Sequence, residues 1–250
     1  NYNIFYHFER SRKIVYLCGH TQNDDSSNSD CEDMNISERI QSIKEKLPKN
    51  VNLVAVSKFQ AIEKLQAAYE AGQRIFGESR ALEMRDKHAQ LPQDIAWHFI
   101  GHLQKNKIKY IAPFVKMIHA VDSPELLAEI NKEAAKNARV IDCLLQVHIA
   151  QEEHKFGFST EDCLSYLRSG EWKNLSNIRI VGLMGMATFT DDTQEIRSEF
   201  QSLRQCFDTA KKECFAQADC FCELSIGMSD DYPIAIECGS TLVRIGTAIF

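Results

Sequence analysis

Two stretches of this 250-residue chain carry residue types that suit one reaction. Near the start, Leu53-Val54-Ala55-Val56-Ser57-Lys58 is an apolar run that stops on a lysine. Near the end, Leu224-Ser225-Ile226-Gly227-Met228-Ser229-Asp230-Asp231 is followed by Ser240-Thr241-Leu242-Val243-Arg244-Ile245-Gly246-Thr247-Ala248. The first stretch offers an amine. The second offers hydroxyls, glycines and an arginine, which are groups that hold an anion. An amine attacks a carbonyl only when neutral, and burial or a nearby cation such as Arg244 favours that form. An amine opposite an anion cradle therefore suits a phosphorylated aldehyde. Pyridoxal 5′-phosphate (PLP) brings both groups: an aldehyde to condense with lysine and a phosphate to anchor.

Each residue also has a plainer reading. Lys58 is either a Schiff-base lysine or an exposed rim residue, and its place at the end of a buried run favours chemistry. The turn Gly227–Asp231 permits close backbone approach at its glycine. Ser229 can cap a helix over 230–238 or bond a phosphate oxygen. Asp230 and Asp231 suit a first helical turn and make poor phosphate ligands. Gly246 and Thr247 offer an amide and a hydroxyl, although a glycine in a tight strand needs no ligand to explain it. Arg244 could pair with a neighbouring acid. Donating instead to a pyridine nitrogen, it would keep that nitrogen unprotonated and weaken the ring as an electron sink. His98 and His102 are four apart in Trp97-His98-Phe99-Ile100-Gly101-His102, but the run is strand-like and no Glu follows the first His, so no zinc pair is expected. His98 reads as a core or rim residue. Histidine is a side chain suited to proton transfer, but no partner is visible to make His102, His148 or His154 a base.

The elements that must position these residues alternate. Short Val/Ile/Leu/Phe-rich runs at 51–57, 74–78, 96–101, 117–122, 140–148, 179–187, 222–227 and 242–249 read as strands buried on both faces. Helical spacing separates them: Ile62, Leu65 and Tyr69 before Gly72, and Ile196, Phe200, Leu203, Phe207 and Ala210 further on. Ser123-Pro124-Glu125 starts another helix, with Ser as N-cap, and 36–47 forms a helix before the first strand. Eight strands alternating with helices predict a closed (β/α)8 TIM barrel. An open doubly wound sheet is the alternative, but Ser57-Lys58-Phe59-Gln60 is no glycine-rich dinucleotide turn. A barrel gathers the strand C-termini into one active face. That places Lys58, Glu78, Ser79, His102, Asp122, His148, Thr188, Ser225–Asp231 and the Arg244–Thr247 segment together, with strand one beside strand eight.

Composition bounds the rest. The chain is 44% hydrophobic and 26% charged, with a net charge of −6. That is a globular composition, and the acidic balance disfavours nucleic acid. Lys105-Asn106-Lys107-Ile108-Lys109 reads as a solvated helix start. No apolar run reaches the roughly 18 residues of a membrane span. The nine cysteines show no Cys-x-x-Cys pair, which points to reduced thiols in a cytosol-like compartment. Residues 1–35 are polar and acidic in their second half and read as a disordered tail, leaving 36–250 as the barrel.

The chain resembles the pyridoxal phosphate homeostasis protein family, PLP-binding barrels related to the alanine racemase N-terminal domain. The motifs run in order through 36–250: 53–58, Gly72-Gln73-Arg74-Ile75-Phe76-Gly77-Glu78, 97–107, Gly182-Leu183-Met184, 224–231 and 239–250. The resemblance implies one fold-type III (β/α)8 barrel with PLP on Lys58. It implies a phosphate held by Ser229, Gly246 and Thr247, Met228 among the cofactor-binding residues, and Arg244 at the ring nitrogen. It further implies a cytoplasmic, monomeric carrier that buffers PLP or delivers it to PLP-dependent apoenzymes, without robust catalysis. Related racemases complete their site with a β-rich second domain and an opposing tyrosine. The chain ends at Phe250, so an open site suited to carrying is expected. A weak PLP-dependent amino-acid racemase is the alternative, and a cofactor-free interaction scaffold a third reading. The chain departs from the family at Ser79 and His148, both usually Asn, and in the loop 151–157. It also stops a few residues early.

Overall fold

The computed structural model describes residues 35–150 and 156–250. The expectation for the N-terminal tail, Asn35 apart, and the reading of His154 fall outside the described residues. Eight parallel strands close on themselves in sequence order, with β8 paired to β1. They are β1 (Asn52–Val56), β2 (Ile75–Glu78), β3 (Ala96–Phe99), β4 (Met117–Val121), β5 (Ile141–Gln146), β6 (Ile178–Met184), β7 (Glu223–Ser225) and β8 (Leu242–Ile245). The helices are α1 (Ile36–Lys46), α2 (Ile62–Glu70), α3 (Ala81–His88), α4 (Pro124–Lys136), α5 (Thr160–Ser169), α6 (Thr193–Cys214) and α7 (Tyr232–Glu237). The crossover after β3 is a 3₁₀ segment, Lys105–Tyr110, where the lysine-rich sequence had suggested the start of an ordinary helix.

Local chemistry sets these elements. Asn35 and Glu38 form a reciprocal capping box on α1. Ser123 Oγ accepts from Leu126 N–H at 3.3 Å, and Pro124 takes the first position of α4, as the sequence predicts. Ile196, Phe200, Leu203, Phe207 and Ala210 form the buried stripe of α6.

Strand alternation divides the core into two layers. Val54, Met117, Leu144, Val181, Met184 and Leu242 belong to an apolar cluster filling the barrel. Phe76, Trp97, Phe99, Phe200 and Phe221 are fully buried in a larger cluster between strands and helices. Removing each such side chain from water contributes about 2–3 kcal/mol.

All the strands but β2 end earlier than expected. β8 stops at Ile245, so Gly246 and Thr247 lie beyond it, not within it. Gly246 O there accepts from Ile249 and Phe250 N–H, at 2.8 and 3.0 Å, and the chain turns. Lys58 likewise stands two residues past the end of β1.

Candidate cofactor site

The β1–β8 seam joins the two informative stretches. Ala55 pairs with Ile245. A Cβ at Gly246 would lie 3.2 Å from both Cβ and the carbonyl oxygen of Val56, so the end of β8 packs against the end of β1 with little room to spare. Val54 points into the barrel, and Ser57 bonds outward toward α3. Lys58 follows in the turn at the C-terminal end of β1, the end that forms the mouth of the barrel. Lys58 is exposed, and its side chain makes no hydrogen bond or ion pair among the described residues.

Ser229, Gly246 and Thr247 converge. Gly246 N–H donates to Ser229 Oγ at 3.4 Å, and Thr247 Oγ1 donates to the same oxygen at 3.0 Å. A long amide contact and two hydroxyls at one point form a small donor cradle. The turn before it is fixed by Asp231, whose Oδ1 accepts from Met228 N–H at 2.5 Å. Burial pushes the Asp231 carboxyl up, and the Met228 amide opposes that shift. Gly227 has φ +95°, and a Cβ there would sit 2.6 Å from Ala235 Cβ. The helix expected over 230–238 spans only Tyr232–Glu237. Ser229 therefore precedes it and faces Gly246 and Thr247 instead of capping it. Met228 exposes its side chain and commits its amide to Asp231.

Arg244 sits inside the barrel, 4% exposed. Nη1 donates to Ser225 O at 2.8 Å and Ser225 Oγ at 2.6 Å, and Nη2 donates to Gly185 O at 3.1 Å. The salt bridge considered as its plainer role is absent among the described residues. These contacts use three of its five N–H groups. Burial lowers its pKa to about 10, with Asp231 opposing, so it stays a cation at neutral pH.

Behind Arg244 runs a chain of polar groups the sequence did not disclose. His119 Nδ1 lies 3.0 Å from Ser225 Oγ, and His119 Nε2 lies 2.9 Å from His98 Nδ1. Burial holds His98 down to about 3, with Lys116 adding to the effect, and holds His119 well below its ordinary value. Both rings are neutral at neutral pH. Arg244 can only donate, so Ser225 accepts from it and turns its own proton to His119 Nδ1. His119 then carries its proton on Nε2 and donates to His98. Strand alternation on β3 and β4 was the signal that could have found His119.

Other expected residues fall differently. Glu78 does not face the mouth. It is fully buried on the α3 side and pairs with Lys87 Nζ at 2.8 Å. His102 Nδ1 lies 3.2 Å from Asp122 Oδ2, a partner the sequence did not show, and its ring stacks on Phe156 at 4.0 Å. Thr188 is tied to Glu199, accepting no role in the cradle: its Oγ1 donates to Glu199 Oε1 at 2.6 Å. Ser79 packs against Gly101, whose added Cβ would lie 2.7 Å from Ser79 Cβ. His148 Nε2 is buried without a hydrogen-bond partner among the described residues. Two residues beyond β5, at the mouth, it is a polar atom available to a ligand.

These residues fit a phosphorylated pyridine aldehyde: a mouth lysine, a donor cradle, a buried arginine with spare donors and an unsatisfied ring nitrogen. Comparison with known proteins decides the family. The sequence model of the alanine racemase N-terminal domain matches residues 33–250. The pyridoxal phosphate homeostasis protein of Aquifex aeolicus is 36% identical over 217 residues, covering 85% of this chain and 93% of that one. The chain belongs to the pyridoxal phosphate homeostasis protein family. The homeostasis protein of Schizosaccharomyces pombe, another member, is 34% identical over 205 residues, covering 81% of this chain and 84% of its own. Among solved structures, PipY of Synechococcus elongatus, without PLP, superposes with a TM-score of 0.81 at 33% identity. It covers 86% of this chain and 100% of its own. PipY with PLP bound gives 0.78 at the same identity and coverage. Alanine racemase of Clostridium difficile shares the fold at 15% identity and a TM-score of 0.66, with 86% of this chain matching 55% of that enzyme.

Proposed function

We propose that this protein binds PLP at the mouth of the barrel and serves in PLP homeostasis, as a carrier or buffer. The observation that carries the reading is the convergence of Ser229 Oγ, Gly246 N–H and Thr247 Oγ1 beside the strand that leads to Lys58. When bound, PLP supplies an aldehyde that condenses with a neutral amine and releases water. Lys58 is the amine for that step. Ser229, Gly246 and Thr247 hold the phosphate, and the turn locked by Asp231 places Met228 against the same ligand. Arg244 presents its remaining donors to the ring nitrogen, and His148 Nε2 offers a further polar contact.

Arg244 supports carrying over catalysis. Its cation is held by Ser225 and cannot hand a proton to the ring, so the ring remains a poor electron sink. The protein then has little racemase turnover, acts as a monomer in the cytoplasm and supplies PLP-dependent apoenzymes. Among the described residues, no helix is long and apolar enough to cross a membrane. The test is an absorbance spectrum with added PLP, followed by borohydride reduction and peptide mapping. A label on Lys58, absent in Lys58→Ala, with negligible alanine racemisation, is the expected result. A label elsewhere, or rapid Lys58-dependent racemisation, sinks the reading.

A further inference from the structure

We propose that Lys87 and Glu83 are positioning residues that clamp the two peptide groups flanking Lys58 and so aim its amine at the mouth. The proposal rests on the reading of Lys58 as the PLP-binding lysine. Lys87 is 5% exposed and reaches inward from α3. Its ammonium has three protons and three acceptors: Ser57 O at 2.7 Å, Glu78 Oε1 at 2.8 Å and Glu83 Oε1 at 2.7 Å. Ser57 O belongs to the peptide group before Lys58. Glu83 Oε1 also accepts from Phe59 N–H at 2.7 Å, and that N–H belongs to the peptide group after Lys58. Ser57 Oγ adds a bond to Glu78 Oε1 at 2.6 Å. One ammonium and one carboxylate thus grip the backbone on both sides of a single residue, while Glu78 holds the ammonium and the Ser57 hydroxyl.

The backbone here needs holding. Phe59 has φ +63°, a left-handed conformation unfavourable for a residue with a Cβ. It is held by Glu83 at its N–H and by Arg80, whose guanidinium lies 4.4 Å over its ring. A loosened clamp lets residues 57–59 relax toward negative φ, and the Cα–Cβ direction of Lys58 turns with them. An ion pair that merely joined β2 to α3 would need Lys87 and Glu78 alone. The bonds to Ser57 O and Phe59 N–H go beyond that. Glu83 and Lys87 stand one helical turn apart, with the acid first, which suits their pairing.

The experiment uses two ligands. PLP reports aim, because it must meet the Lys58 amine. Pyridoxine 5′-phosphate keeps the ring and phosphate but has an alcohol where PLP has the aldehyde, so it reports the cradle alone. Glu83→Ala removes the tie to Phe59 from a partly exposed side chain and leaves Lys87 paired with Glu78. It is expected to weaken PLP at least ~10-fold and leave pyridoxine 5′-phosphate binding unchanged. Glu83→Gln, which keeps an acceptor for Phe59 N–H, restores most of the PLP affinity. Lys87→Met gives the same pattern if it folds, and the Glu83 pair decides the matter if it does not. Equal loss of both ligands in Glu83→Ala, or no loss of either, overturns the clamp. Borohydride labelling of the unsubstituted protein separates the two failures. A label away from Lys58 overturns the site and the clamp together, whereas a label on Lys58 with an indifferent Glu83→Ala overturns the clamp alone.

Discussion

Arg244 owes its setting to residues that touch no ligand. Ser225 takes two of its N–H groups, and His119 and His98 extend the chain across the barrel. Keeping two imidazoles neutral in an apolar interior makes stability depend on pH. The folded state holds His98 at about 3, and the unfolded chain protonates near 6.5. Between those values the unfolded state binds more protons, so stability rises with pH and is lost as pH falls below 6.5. Each such histidine contributes a slope of about 1.4 kcal/mol per pH unit. The raised carboxyls of Glu78 and Asp231 act with the opposite sign, because the folded state holds their protons more tightly. A comparison of variants isolates the histidine effect. His98→Gln, which can still accept from His119, should show a shallower fall in urea stability from pH 7 to pH 5 than the parent protein. Parallel curves would show that His98 titrates freely.

The turn after β7 and the loop after β8 build the cradle as separate elements. Their hydroxyls can be removed without disturbing the core, since Ser229 is half-buried and Thr247 exposed. A hydrogen bond to a charged phosphate contributes about 1.5–3 kcal/mol. Ser229→Ala and Thr247→Val should each weaken PLP by roughly 10- to 100-fold and weaken pyridoxine 5′-phosphate equally. A titration in which only PLP suffered would place the phosphate elsewhere. At this scale the sequence was partly legible. Apolar runs located every strand, but all their C-terminal limits except that of β2 ran long. The 140–148 run continues past Gln146, where β5 ends and its last backbone bonds pass to Phe158: Val147 bridges Phe158, and His148 N–H donates to Phe158 O at 2.8 Å. Composition does not record where a hydrogen-bond ladder ends. The 230–238 helix was overextended for a different reason: Asp231 spends its side chain on Met228 N–H, which competes with the first helical turn.

Barrel closure makes the first and last strands neighbours, and alternating periodicity was enough to predict it. Partners across the barrel were not legible, because they depend on register and not on local pattern. No spacing along the chain connects Lys87 to Ser57 or Glu78. The same closure gives the whole molecule a ligand-dependent stability. PLP bound as proposed, between Lys58 and the Ser229–Gly246–Thr247 cradle, would span the β1–β8 seam, so unfolding the barrel would release it. Binding to the native state alone stabilises by about 2.7 kcal/mol at a free ligand concentration of 100 Kd. For a domain of this size that corresponds to roughly 5–11 °C in the melting midpoint. Calorimetry at matched multiples of Kd should give the full shift in the parent protein. At a fixed PLP concentration set for the parent, Lys58→Ala and Ser229→Ala should each lose most of it. A parent midpoint that ignored PLP would mean that PLP does not bind the folded barrel in preference to the unfolded chain, and the geometry of the mouth would need another occupant.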